Sequence, residues 1–329
     1  MRDSVTPVLR NMVRRLSRTL DLGTRSVART YERTGQSAST AARTAENADH
    51  RNGHHLLEEA RTVTQPHPMR VQATAQNWNY RPSRAESAMA ARRMTTPVDF
   101  VGDMRESVAR SSTEVRKMRS DDGELNIYKP IHGEKYDSGL TFTHAPGSLT
   151  NREIAAYRVD EILGFGRIPP TARTDGAIGD DGRPLGPGMI QQFVESSRSR
   201  PVADYPRVQQ QQVGVLDYII GSMDRHSGNY RTVDRGDHYD IVAIDHGRSF
   251  PMSTRPLEIA IDSDFVAAHK GQPLEPEVLG AVRNVDTDLL RSALGDAGLH
   301  PNTIDGALTR LEKIRELGGI PADARVLPP

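Results

Sequence analysis

Cysteine is absent from all 329 residues. Disulfides and thiolate metal sites are therefore excluded, which fits a reducing compartment. Aromatic residues make up 5% and hydrophobic residues 36%, low enough that part of the chain is expected to pack poorly. No apolar run approaches the roughly 20 residues that span a bilayer. No apolar stretch follows the basic residues at the start, as a secretory signal would require. Neither G-x-G-x-x-G nor a Walker A pattern occurs, so any phosphate-binding loop must be of another kind. A cytoplasmic location is expected, with peripheral membrane attachment or delivery as an effector left open.

What is present is unevenly spread. The formal net charge is zero, yet residues 1–96 hold 16 Arg, no Lys and 8 Asp and Glu. This stretch carries an excess of 8 positive charges and the remainder an equal negative excess. Such asymmetry marks a separate arm, either simply solvated or able to touch an anionic membrane or protein partner. Residues 4–34 show apolar Val5, Val8, Leu9, Met12, Val13, Leu16 and Leu20 near helical spacing, with an Arg-rich opposite face. Residues 35–97 read as linker, with a short helix near His54–Arg61. No pattern specific to nucleic acid is found.

Patterning sharpens after Pro97. Ser112–Met118 alternates, Asp121-Asp122-Gly123 turns the chain, and Leu125–Tyr128 continues as a second strand. Residues 137–148 read as loop. Leu149–Gly164 is a helix opening near Thr150 and closing at a glycine. Gly176–Gly188 is turn-rich, Met189–Glu195 a strand, and Tyr205–Met223 a helix. Helices follow at Val278–Val285, Thr287–Leu294 and Thr303–Leu317. Strands first and helices later predict an α+β, two-lobed protein. The expected boundaries are an arm over 1–96, an N-lobe over 97–190, a hinge at 191–195, a C-lobe over 196–318 and a tail over 319–329.

Two acid-centred clusters, DRHSGN at Asp224–Asn229 and IDHG at Ile244–Gly247, flank a turn-containing segment. If Arg231–Val233 and Tyr239–Ile244 pair as a hairpin, Asn229 arrives beside Asp245. An amide oxygen and a carboxylate are the hard donors that Mg²⁺ or Mn²⁺ on a nucleotide takes from protein. Asp224, at the other end of a tight loop, is placed to accept or orient the proton of an attacking hydroxyl. His226 competes for that role on pKa grounds. Base, metal amide, turn and metal carboxylate, in that order, form the layout of a phosphoryl-transfer site. Two alternatives remain open: both clusters are plain turns, or His226, Asp245 and His246 form a zinc-type site, although the spacing fits no usual zinc pattern.

Such a site needs a cation for the nucleotide phosphates. Lys129, closing the strand Asn126–Tyr128, is the candidate, and Glu153 on the next helix its partner. Thr150 and Glu153 also fit a capping box, in which Glu153 would only close the helix start. Glu161 is then the fallback. The phosphate loop falls on Ala109–Thr113, with the hydroxyls of Ser111, Ser112 and Thr113. Gln191–Glu195 form the strand linking the two lobes, whose backbone would meet adenine.

The segments NIYKP, REIAAYRVDEILG, GPGMIQQFVE, DYIIGSMDRHSGNY and AIDHGRSFP resemble, in order, the phosphatidylinositol 3-/4-kinase-like superfamily. The likeness is closest to the type II phosphatidylinositol 4-kinases and related small bacterial kinase-like proteins. It covers residues 105–255 by motif and the helical remainder to about 318 by position. The resemblance implies a two-lobed protein-kinase-like fold behind a basic, partly disordered arm. It implies ATP with Mg²⁺ or Mn²⁺, held by Lys129, Glu153, a Ser-rich loop at Ser111–Thr113 and a hinge at Gln192–Val194. Asp224 and His226 fall on the catalytic loop, Asn229 and Asp245 on the metal positions. The acceptor hydroxyl belongs to a protein or small molecule. A lipid head group is less favoured, because Asp245–Arg255 offers only Arg248 and Arg255 where a basic cluster would be wanted. The alternative is a pseudo-kinase or nucleotide-binding module recruited through its arm.

Overall fold

A computed structural model describes residues 82–109, 113–134 and 145–327. All of them lie in one of two units of the chain, that running from Ala75 to Pro329. The helix over 4–34, the short helix near His54–Arg61 and the loop serines Ser111 and Ser112 lie outside the described residues.

The first described element is a helix, α1 (Arg84–Ala90), opened by a capping box in which Ser83 and Glu86 satisfy each other's backbone amides. Strand β1 (Met94–Pro97) follows, then α2 (Gly102–Ala109), β2 (Arg116–Ser120) and β3 (Leu125–Pro130). Helix α3 (Ser148–Leu163) packs behind them, and β4 (Thr171–Thr174) and β5 (Gly188–Gln192) complete an antiparallel sheet of order β1-β2-β3-β5-β4. Gly188 pairs with Pro130 at the end of β3. A Cβ there would sit 2.5 Å from the Lys129 carbonyl oxygen, so only glycine permits this approach. The buried side of the sheet is filled by Met89, Met94, Met118, Tyr128, Ala172, Ala177 and Ile190.

The expected hairpin and the α3 helix are present. The boundary at residue 97 moves toward the N-terminus: α1 and β1, which the sequence pattern assigns to linker, contribute Met89 and Met94 to this core. Their stretch is Arg- and Ala-rich with few apolar residues, which hides the short elements. Strand β4, in TART, likewise carries no clear signal in the sequence.

After β5 the chain crosses through Phe193 and Val194 to a short strand, β6 (Ser197–Arg198), and into α4 (Arg207–Ile220). Strands β7 (Tyr230–Asp234) and β8 (Tyr239–Ala243) join β6 in a three-stranded sheet. Helices α5 (Asp264–His269), α6 (Pro276–Asn284), α7 (Thr287–Asp296) and α8 (Pro301–Leu317) complete the second lobe. Its core centres on the apolar stripe Val215, Leu216, Ile219 and Ile220 of α4 and includes Phe250, Val266, Leu311 and Ile314. The protein is thus α+β, with a sheet-rich lobe and a helical lobe joined by one strand-to-strand crossing. Among the described residues no helix is long and apolar enough to cross a membrane.

Candidate active site

The two lobes face each other across a cleft of about 610 Å³. Ile127 and Val115 line it from the sheet-rich side, Val242 and Ile244 from the helical side, and Phe193 and Val194 from the crossing. Met104 and Val108, one turn apart on α2, line the cleft together with Phe100, which precedes the helix. The segment expected to form a phosphate loop is therefore preceded by a helix, and Thr113 is the one described member of the expected hydroxyl trio. Thr113 borders a second, smaller cavity of about 40 Å³ beside the cleft.

Lys129 stands at the end of β3 and reaches two carboxylates. Its Nζ lies 2.6 Å from Glu153 Oε1 and 3.0 Å from Asp245 Oδ1. Glu153 is buried, and its second oxygen accepts the His246 N–H at 2.8 Å. Burial alone would raise the Glu153 carboxyl. The Lys129 charge and the His246 hydrogen bond overcome it and hold the group below the usual carboxylate range. Burial would likewise depress Lys129, but Asp245 and Glu153 hold it above the usual lysine range. Burial keeps the His246 ring below its ordinary pKa and so neutral.

Glu153 is therefore not the helix cap. Helix α3 begins at Ser148, and Glu134 does the capping: its carboxylate accepts from Gly147 N at 2.9 Å, Thr150 N at 2.8 Å and Thr150 Oγ1 at 2.7 Å. Glu161, the fallback partner for Lys129, is exposed and hydrogen-bonded to Tyr157, on the same helix.

The β7–β8 hairpin does what its spacing predicts. Tyr230 pairs with Ala243, and the Ile244 N–H donates to the Asn229 carbonyl at 3.0 Å. Asn229 and Asp245 thus meet at the open end of the hairpin. Asn229 Nδ2 donates to the Asp224 carbonyl at 2.6 Å, which leaves Oδ1 as the amide atom able to serve a cation. Asp245 has φ 59°, in the left-handed region, a conformation Asp adopts more readily than most residues. Two hard oxygen donors fit a Mg²⁺ or Mn²⁺ ion that keeps water and substrate phosphates in its remaining positions.

Asp224 lines the same cleft. Burial raises its carboxyl above the ordinary range, against the pull of Arg248 and His226. His226 also borders the cleft, its side chain 55% exposed and its Nε2 3.9 Å from Asp224 Oδ1. Its Nδ1 accepts the Gly228 N–H at 2.9 Å, so the ring shapes the loop. Among the described residues no group of three or more His, Asp or Glu side chains gathers as a metal cage. With His226 exposed and His246 buried, the zinc-type alternative falls.

Arg225 has no place among the site residues expected from the sequence. It belongs to the first cluster and is 1% exposed. Its guanidinium meets Asp217 at 3.1 Å and donates to the carbonyls of Asn229 at 2.5 Å and Ile244 at 2.6 Å. One side chain thereby ties the start of the loop to the strands that deliver Asn229 and Asp245. The available signal is Asp217, a carboxylate inside an otherwise apolar helix stripe. At the crossing, the amides of Gln192 and Phe193 donate to Pro170 and Leu125 carbonyls at 2.9 and 3.0 Å. All three residues assigned to the hinge, Gln192, Phe193 and Val194, border the cleft.

A sheet-rich lobe, a single crossing among the described residues, a helical lobe and a strand lysine paired to a helix glutamate make up a kinase-like fold. The sequence comparisons bear out the resemblance to phosphatidylinositol kinases. The chain is 27% identical over 201 residues to phosphatidylinositol 4-kinase gamma 4 of Oryza sativa subsp. japonica, covering 52% of this chain and 34% of that protein. It is 32% identical over 162 residues to the Arabidopsis thaliana protein of the same name, covering 39% and 28%. Protein Rv2133c of Mycobacterium tuberculosis is 25% identical over 203 residues, covering 52% and 68%. The matched region thus spans about a third of the plant relatives. No protein-family model matches. Among solved structures, the Golgi casein kinase with Mn/ADP bound aligns at TM-score 0.49 and 15% identity, covering 71% of this chain and 74% of that one. The Helicobacter pylori proinflammatory kinase CtkA aligns at TM-score 0.38 and 13% identity, covering 66% and 95%.

Proposed function

We propose that the protein transfers the γ-phosphoryl group of ATP to a hydroxyl of a protein or small molecule, with a lipid head group the less favoured acceptor. The observation that carries this reading is the Lys129 ammonium bridging Glu153 and Asp245 at the floor of a cleft that Asp224 and Asn229 also line. Lys129 would bind the nucleotide phosphates, kept charged and aimed by Glu153. Asn229 and Asp245 would hold Mg²⁺ or Mn²⁺, which supplies charge neutralisation on those phosphates. Asp224 would take the proton from the acceptor hydroxyl. The acceptor oxygen forms a bond to the γ-phosphorus as the bond to the β-bridging oxygen breaks, and ADP leaves with that electron pair. Adenine would lie between the apolar walls of Ile127 and Ile244, against the crossing strand.

Incubation with labelled ATP, Mg²⁺ or Mn²⁺, and separately protein lysate, a small-molecule pool and lipid extract tests this. Label taken up with the wild-type protein and not with Asp224→Asn supports it and gives the acceptor class. Nucleotide binding without transfer to any fraction overturns it in favour of a binding module.

A further inference from the structure

Four residues, Lys129, Asp224, Asp245 and Arg248, border both the large cleft and the small cavity beside it. Two of them are cations, and they differ in one respect. Lys129 is engaged by two carboxylates at 3.0 Å or less. Arg248 is not: its nearest ion-pair contact, Nη1 to Asp224 Oδ1, is 3.7 Å, beyond hydrogen-bond reach. Its Nε is buried and has no partner. A buried donor without an acceptor is costly to keep and points to a group that arrives later.

The base of this side chain is held firmly. The Arg248 carbonyl accepts the Met223 N–H at 3.1 Å, and the Phe250 N–H donates to Ile220 at 2.7 Å. The preceding Gly247 approaches Leu149 and Glu153 of α3. A guanidinium on this footing, 37% exposed, offers a planar fork suited to the oxygens of a phosphoryl group. The small cavity, about 40 Å³, has room for roughly three water-sized groups. Its border carries the assigned base, the metal carboxylate and the phosphate lysine.

We propose that Arg248 is a phosphoryl-positioning residue, whose guanidinium takes the oxygens of the terminal phosphoryl group of the nucleotide next to Asp224. This role rests on the phosphotransferase reading and adds a selectivity to it: the site distinguishes a nucleoside triphosphate from a diphosphate through this one side chain. The same contact would draw the developing equatorial charge away from Asp224, which must stay ionised to act as base. The competing role is a bare counter-charge for Asp224, which would give no such selectivity.

The experiment measures binding, by calorimetry and thermal shift, of Mg-ADP and of the non-hydrolysable Mg-AMPPNP to the full-length wild type, Arg248→Ala and Arg248→Lys. Arg248→Ala is expected to lose roughly ten- to a hundredfold in AMPPNP affinity, the range for hydrogen bonds to a charged group. Its ADP affinity should stay within about twofold. Arg248→Lys should fall between, because it keeps the charge but not the fork. If Arg248→Ala is poorly folded by circular dichroism, Arg248→Gln replaces it. Equal losses for both nucleotides, or no loss, overturn the proposal and leave the phosphotransferase reading standing. Failure of the wild type to bind either nucleotide overturns both.

Discussion

Arg225 and Asp217 form a buried ion pair, 1% and 0% exposed, with the guanidinium 3.1 Å from the carboxylate. Asp217 also accepts Ser263 Oγ at 2.8 Å, so the pair is hydrogen-bonded on more than one side. Removing one partner leaves an uncompensated buried charge. Arg225→Ala should therefore destabilise the protein by roughly 3–5 kcal/mol, read from urea denaturation. Arg225→Lys keeps the charge but not the reach to both carbonyls. It should cost less stability and still lower kcat, because the loop bearing Asp224 loses its tie to Asn229 and Ile244. Full activity in Arg225→Lys would show that the tie is dispensable.

Glu153→Gln separates pairing from capping. Glutamine serves a helix cap as well as glutamate does, but here Glu134 is the cap. With Lys129 deprived of its partner, kcat/KM should fall by about an order of magnitude or more, since an interaction needed in the transition state is lost. A pH signature accompanies this. The Glu153 carboxyl is depressed in the folded protein, so its contribution is fully present above the unfolded carboxylate pKa of about 4.3. That contribution is lost as pH falls from there toward the lower folded value. A plot of Tm against pH should be flatter below pH ~4.5 in Glu153→Gln than in wild type. Parallel curves would contradict the depressed carboxyl.

Asp224→Asn keeps the size of the side chain and loses its charge. Mg-ATP affinity should stay within a few fold while kcat drops by roughly two to four orders of magnitude, as for loss of a general base. His226→Ala should do much less, because its ring is exposed and serves the Gly228 turn. The reverse pattern, a near wild-type Asp224→Asn with a dead His226→Ala, would transfer the base role to His226.

Asp245→Asn tests the metal assignment without straining the backbone, as Asn tolerates φ near 59° almost as well as Asp. Wild type should be stabilised further by ATP when Mg²⁺ is added, by ligand linkage. Asp245→Asn should lose most of that additional Tm shift. An unchanged Mg²⁺ increment in the variant would remove Asp245 from the metal site.

The meeting of Asn229 and Asp245 is legible in the sequence because it is local: two short strands and a tight turn dictate it. The Lys129–Glu153 contact is legible only as one of two readings, since Thr150 and Glu153 also spell a capping box. What decides between them is Glu134, which sits 16 residues before Thr150 and reaches it only through the tertiary fold. Helix α1 is hidden for a different reason. Ser83 and Glu86 do carry a capping signature, but seven residues whose one large apolar side chain is Met89, with many Arg and Ala neighbours, give little periodicity to read. Arg225 is visible as a letter within DRHSGN, and its function is not, because two of its partners are carbonyls that sequence does not display.

Arg158 lies five residues beyond Glu153 on the same helix. Its Nε and Nη2 meet both Glu86 oxygens at 2.7 and 2.6 Å, and its Nη1 donates to the Ala293 carbonyl of α7 at 2.6 Å. Helix α3 is consequently riveted on one side to the leading helix and on the other to the helical lobe. A helix so fastened holds the Glu153 carboxylate at a set place between the lobes, where Lys129 Nζ of the sheet meets it at 2.6 Å.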